Sequence, residues 1–88
     1  MYRVRWKKSA LDELTRTWTQ ADSSMRVAIT AATHAIDQQL QSNPYEGSES
    51  REHGVRVLFV FPLGTRFEID EQHSVVQVYH IWSFRKRR

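Results

Sequence analysis

The chain has 88 residues, with 13 Lys and Arg against 10 Asp and Glu, a net charge of +3, and no cysteine. Such a length supports one domain around one small core, and the absent thiols exclude a disulfide scaffold, thiolate metal sites and a cysteine nucleophile. The longest apolar run, residues 57–61, is far too short to cross a bilayer, and residues 1–8 hold no apolar signal segment; a soluble cytoplasmic protein without a membrane partner is expected.

The first predicted element is a strand. YRVRW places Tyr2, Val4 and Trp6 on one face and Arg3 and Arg5 on the other, the period of a half-buried strand. A helix begins at Ser9, with Asp12 and Glu13 close to capping-box spacing, and carries Leu11, Leu14, Trp18 and Ala21 as one apolar stripe. Asp22 or Ser23 caps a second helix, which carries Met25, Ile29, Ala32, Ile36 and Leu40 and runs to about Ser42. Asn43-Pro44 stops it, and residues 43–54 read as a polar loop. In GVRVLFVF, Val55, Val57, Phe59 and Phe61 share one face, and Arg56, Leu58 and Val60 the other. PLG reads as a short turn in which Gly64 is free to adopt positive φ. TRFEID then sets Thr65, Phe67 and Ile69 against Arg66, Glu68 and Asp70. EQHS turns the chain into VVQVYHIW, which is apolar enough on both faces to be a central strand.

The order β-α-α-β-β-β predicts an α+β fold in a single domain, with a helical hairpin packed on one face of an antiparallel sheet that the first strand joins. The other face stays open and inherits Arg3, Arg5, Arg56 and Arg66 from alternation. The two ends carry Arg3, Arg5, Lys7, Lys8, Arg85, Lys86, Arg87 and Arg88, eight of the 13 basic residues, and the stretch between them sets five against all ten acids. If the ends meet in space, they form a positive patch that attracts a polyanion through phosphate contacts. The plainer reading of Arg85 to Arg88 is a solvated tail.

With the element order go a loop ending in SRE, the hairpin PLGTRFEID and the basic end after the last strand. Together they resemble the RelE/ParE superfamily, the toxins of type II toxin–antitoxin pairs, often described as plasmid stabilisation proteins. The resemblance spans nearly the whole chain. Its recurring hairpin, a glycine, one residue, an arginine and an apolar strand ending near an acid, is Gly64 to Asp70 here. It implies an acidic antitoxin partner and one of two targets. RelE-type members cleave mRNA on the ribosome by attack of a 2′-OH on the adjacent phosphate, which needs cations and proton transfer but no metal or other cofactor. ParE-type members poison DNA gyrase and lack a ribonuclease constellation; a catalytically silent antitoxin-binding module is a third possibility.

On the mRNA interferase reading the resemblance places Arg66 on the catalytic hairpin arginine and Arg85 near a second phosphate-binding arginine. Members with this activity usually carry a tyrosine or histidine at the C-terminal end as acid–base partner, and none follows Trp82 here. His80 is the nearest candidate. It and Tyr79 are expected on opposite faces of the last strand. Arg3, Arg5, Arg51, Arg56, Lys86, Arg87 and Arg88 are candidate RNA-binding residues, and Trp82 could stack a base. Glu52, beside Arg51, is a further candidate base. His73 and His80 lack enough suitably placed ligands for a zinc site.

Overall fold

Two helices cover one face of a five-stranded sheet in the computed structural model, which describes residues 1–85. The order is β1 (Arg3–Trp6), α1 (Lys8–Gln20), α2 (Ser23–Ser42), β2 (Glu49–Glu52), β3 (Val55–Val60), β4 (Leu63–Asp70) and β5 (Val75–Ser83). The strands lie β1-β5-β4-β3-β2, with β1 parallel to β5 and every other pair antiparallel. The expected α+β architecture is therefore present, with β5 inside the sheet. It carries one strand more than the sequence reading, β2, and one parallel pair.

The core forms where α2 lies over the sheet. Ile29, Ile36 and Leu40 pack with Leu58, Leu63, Phe67, Val76, Val78 and Ile81, all at most 3% exposed. Each such side chain contributes about 1.5–3 kcal/mol by leaving water. Asp22 starts α2, its carboxylate accepting the Met25 N–H at 2.8 Å. That bond, followed by one from Ser24, holds the Asp22 carboxyl below its ordinary range.

The first helix departs from expectation. Lys7 occupies its N-cap position with no side-chain cap, and Ser9 Oγ instead donates to the Tyr79 carbonyl at 2.8 Å. Its buried residue is Ala10, with Leu14 and Ala21 partly buried, whereas Leu11 and Trp18 are 47% and 42% exposed. The inward face keeps Leu14 and Ala21 of the expected stripe but takes Ala10 in place of Leu11 and leaves Trp18 outside, because α1 meets β5 through small and hydrogen-bonding residues. Trp18 lies under the Arg26 guanidinium, 4.3 Å from the ring centre. Arg26 also donates to the Trp18 and Thr19 carbonyls at 2.9 and 2.8 Å, closing the end of α1.

Three other expectations are corrected. Residues 43–54 contain the charged edge strand β2, whose ESRE sequence is exposed throughout and hides from any search for apolar alternation. The faces of β3 are reversed: register sets Arg56 beside Phe67 and Leu58 beside Thr65, so Arg56, Leu58 and Val60 face the helices. Alternation could not decide this, because Val55 and Val57 are also buried, at 8% and 5% exposure. Gly64 lies within β4, after a turn at the cis Phe61–Pro62 peptide, and does not adopt positive φ. Its hydrogen is needed for another reason: a Cβ there would stand 2.5–2.7 Å from the Trp82 indole.

Among the described residues, Arg3 and Arg85 do not meet. In the parallel β1–β5 pair, Arg3 stands beside Val75 at the start of β5. Arg85 follows the far end of that strand, about 26 Å away at roughly 3.3 Å per residue. Lys86, Arg87 and Arg88 lie outside the described residues.

Candidate functional site

Arg66 and His80 are direct partners in the β4–β5 register and project from the face that the helices leave uncovered. Val57 and Glu49 continue the same row on β3 and β2. The next row sets Trp82 beside Gly64 and Phe59. Arg66, His80, Val57, Phe59 and Trp82, with Glu13, Arg51 and Ile81, line one shallow concavity of about 430 Å³. Valine forms its floor, two arginines and a histidine its polar wall, and Phe59 and Trp82 an aromatic rim, their rings edge-to-face at 6.0 Å.

A bulge builds this arrangement. Arg66 pairs with His80 but Phe67 pairs with Val78, which leaves Tyr79 without a partner on β4. Side-chain alternation breaks there. The Tyr79 hydroxyl donates to Gln77 Oε1 at 3.4 Å, on the open face where Gln77 pairs with Glu68 and Arg5. Burial, then the charge of Glu68, pushes that hydroxyl's pKa above its ordinary value. Tyr79 and His80 therefore share the open face, contrary to strict alternation.

Exposed carboxylates hold the arginines. Arg66 Nη2 donates to Glu52 Oε1 at 2.8 Å, and Arg51 Nη1 to Glu49 Oε1 at 2.9 Å. Both arginines are 42% exposed at the side chain, and pairs of this kind contribute about 0–1 kcal/mol. An incoming anion can displace either carboxylate at little cost. Glu52 is thus occupied as an arginine partner.

The remaining sequence candidates lie elsewhere. Arg3 and Arg5 share the open face, but on β1, with β5 between them and β4. Arg56 is on the helix side, donating to Ser48 Oγ at 2.7 Å and the Ser48 carbonyl at 2.9 Å, with its guanidinium 5.2 Å from the Tyr45 ring centre. Arg85 lines a different cavity, with Thr17, Gln20, Ala21, Met25 and Phe84, at the helix-hairpin end. Among the described residues no group of three His, Asp or Glu side chains is placed to hold a metal ion, and no helix is long and apolar enough to cross a membrane.

Glu13 is the site residue that sequence reasoning missed. Its Oε1 accepts the Ile81 N–H at 3.0 Å, and both carboxylate oxygens lie 3.3 Å from His80 Nδ1. The signal was the spacing of Ser9 and Glu13, one helical turn apart, facing a strand that outruns its neighbour.

No family model matches the sequence, and no curated protein matches it. Solved structures do. The chain is similar to a chain of the RelBE2 toxin–antitoxin complex from Mycobacterium tuberculosis at 16% identity, over 93% of this chain and 90% of that one, with a TM-score of 0.73. It is similar to a chain of the chromosomal ParDE system from P. aeruginosa at 17% identity, over 97% and 98%, with a TM-score of 0.71. It is similar to the isolated E. coli RelE toxin at 15% identity, over 100% and 89%, with a TM-score of 0.67. The chain has the RelE/ParE toxin fold.

Proposed function

We propose that the protein is the toxin of a type II toxin–antitoxin pair and cleaves mRNA on the ribosome by metal-independent chemistry. The observation that carries this reading is the pairing of Arg66 with His80 across β4 and β5, on an uncovered face beside an aromatic rim. The histidine stands within the last strand, so a terminal acid–base residue is not required. The reaction needs a base for the 2′-OH, a cation for the charged phosphorane and a surface for the flanking base. His80, Arg66 and Trp82 supply these in turn, and Arg51 adds charge for the RNA backbone. The 2′ oxygen bonds to phosphorus as its proton passes to His80, and the P–O5′ bond breaks. The 5′ oxygen takes a proton from solvent and the imidazolium returns one, leaving a 2′,3′-cyclic phosphate and a 5′-hydroxyl. The similarity to chains of toxin–antitoxin complexes supports an antitoxin partner, and the basic residues of the open face suit an acidic segment.

A second reading, a non-enzymatic binder of DNA gyrase, draws on the exposed aromatics Phe59, Phe61 and Trp82, which could anchor a protein surface. Primer extension on mRNA in a purified translation reaction separates the two. Ribosome-dependent cleavage ends that vanish with Arg66→Ala support the ribonuclease. Arg66→Ala should keep the fold, since it removes only an exposed ion pair worth about 0–1 kcal/mol. Absence of cleavage at high protein concentration refutes the reading in favour of gyrase binding or antitoxin binding alone.

A further inference from the structure

Beyond Val78, β5 has no strand paired with its β1-side edge among the described residues. β1 ends at Trp6, opposite Val78, and the Lys7 N–H makes the last main-chain bond, to the Val78 carbonyl at 2.9 Å. Beyond it α1 takes the place of the missing strand. Ser9 Oγ donates to the Tyr79 carbonyl at 2.8 Å, and Glu13 accepts the Ile81 N–H at 3.0 Å. Four residues of helix rise about 6 Å and two residues of strand about 6.6 Å, so one helical turn matches this stretch of edge. An edge cap alone needs one carboxylate oxygen. Glu13 has both oxygens 3.3 Å from His80 Nδ1 as well.

We infer that Glu13 is a positioning residue for His80: anchored on the strand edge, it holds the ring with its proton on Nδ1, leaving the Nε2 lone pair to accept the substrate proton. The physical basis is simple. An ionised carboxylate can only accept a hydrogen bond, so Nδ1 must donate and the neutral ring must carry its lone pair on Nε2. Among the described residues, the other charged groups lining the concavity are paired elsewhere. Arg66 faces His80 from β4 and is bound to Glu52, and Arg51 lines the same concavity from β2 and is bound to Glu49. When the ring becomes an imidazolium, the same carboxylate stabilises it. The tautomer is a property of the free protein; the proton-accepting role rests on the ribonuclease reading.

The test is ¹⁵N NMR of the His80 ring, in the full-length protein with the ring neutral, alongside the cleavage assay. The wild type should show the Nδ1–H tautomer, and a predominant Nε2–H tautomer overturns the inference without any variant. Glu13→Gln keeps an oxygen for the Ile81 N–H but offers an amide N–H to Nδ1, so the tautomer should reverse while the fold is retained. Cleavage should fall by about 10²-fold, the lower end of what a positioned acid–base group contributes. An unchanged tautomer, or wild-type cleavage by Glu13→Gln, overturns the assignment. If the wild type does not cleave at all, the ribonuclease reading fails and the proton-accepting role with it, and the tautomer pattern alone decides whether Glu13 sets the ring.

Discussion

Gly64→Ala tests the packing that orients the aromatic rim. The backbone at Gly64 does not have positive φ, so alanine meets no conformational barrier. The obstacle is the Trp82 indole, with three ring atoms 2.5–2.7 Å from the position of the new methyl group. Ordinary contacts are about an ångström longer, so the indole must swing away from Phe59. Overpacking of this kind costs about 1–3 kcal/mol, and removing the backbone entropy of glycine returns about 0.5–1 kcal/mol. From the middle of each range the net loss should be about 1 kcal/mol, a fall in Tm of roughly 4–8 °C for a domain of this size. Urea unfolding gives the free energy, and a double-mutant cycle gives the cause. In a Trp82→Ala background the clash is gone, and Gly64→Ala should be neutral or stabilising. The same destabilisation in both backgrounds would refute the reasoning, because the cost would then lie in the backbone.

Two further outcomes are expected. Trp18→Ala should cost about 1–2 kcal/mol in urea unfolding, below the roughly 3–5 kcal/mol of a buried tryptophan, because the side chain is 42% exposed and held by Arg26; a loss above 3 kcal/mol would contradict its place on the surface. At the other end of the sheet, Tyr45 and Tyr2 both donate to Glu71 Oε2. Glu71, chiefly through Tyr45 and then Tyr2, is held below its ordinary value of 4.5, and Tyr45 is pushed up from 10.0 to about 12, chiefly by the bond to Glu71. The raised tyrosine contributes stability that is complete below pH 10 and lost as pH rises through about 12. The lowered carboxylate contributes stability present above its ordinary pKa and lost as pH falls below it. The Tm difference between wild type and Glu71→Gln should therefore hold steady across neutral pH and shrink at both extremes; one that grows toward either extreme would refute the assignment.

Elements with a single strong pattern were legible. The second helix shows its buried face at Ile29, Ala32, Ile36 and Leu40, and its cap at Asp22. The alternation in TRFEID put Arg66 on the open face, because Phe67 has only one place to go. Legibility failed where two faces look alike or where polarity itself builds structure. Both faces of β3 are apolar, so the side taken by Arg56 depended on register with β4. β2 has no apolar residue to reveal it. The α1 stripe misled because Leu11 and Trp18 are large yet peripheral, while Ala10 marks the contact. Tyr79 and His80 could not be placed by counting, since a bulge shifts every later residue by one.

That bulge and the short first strand act together on the candidate site. With regular alternation, either Tyr79 or His80 would turn toward the helices, and a β1 of full length would cover the edge that Glu13 now occupies. Two local interruptions of the sheet thus set a histidine opposite Arg66 and a carboxylate behind it. Neither interruption has an apolar signature, and both need the strands in register before they can be seen. The resemblance had set the catalytic arginine at Arg66 and a second phosphate-binding arginine near Arg85. Arg66, His80 and Glu13 line one concavity together, whereas Arg85 lines the helix-hairpin cavity and the amino-terminal arginines stand across β5.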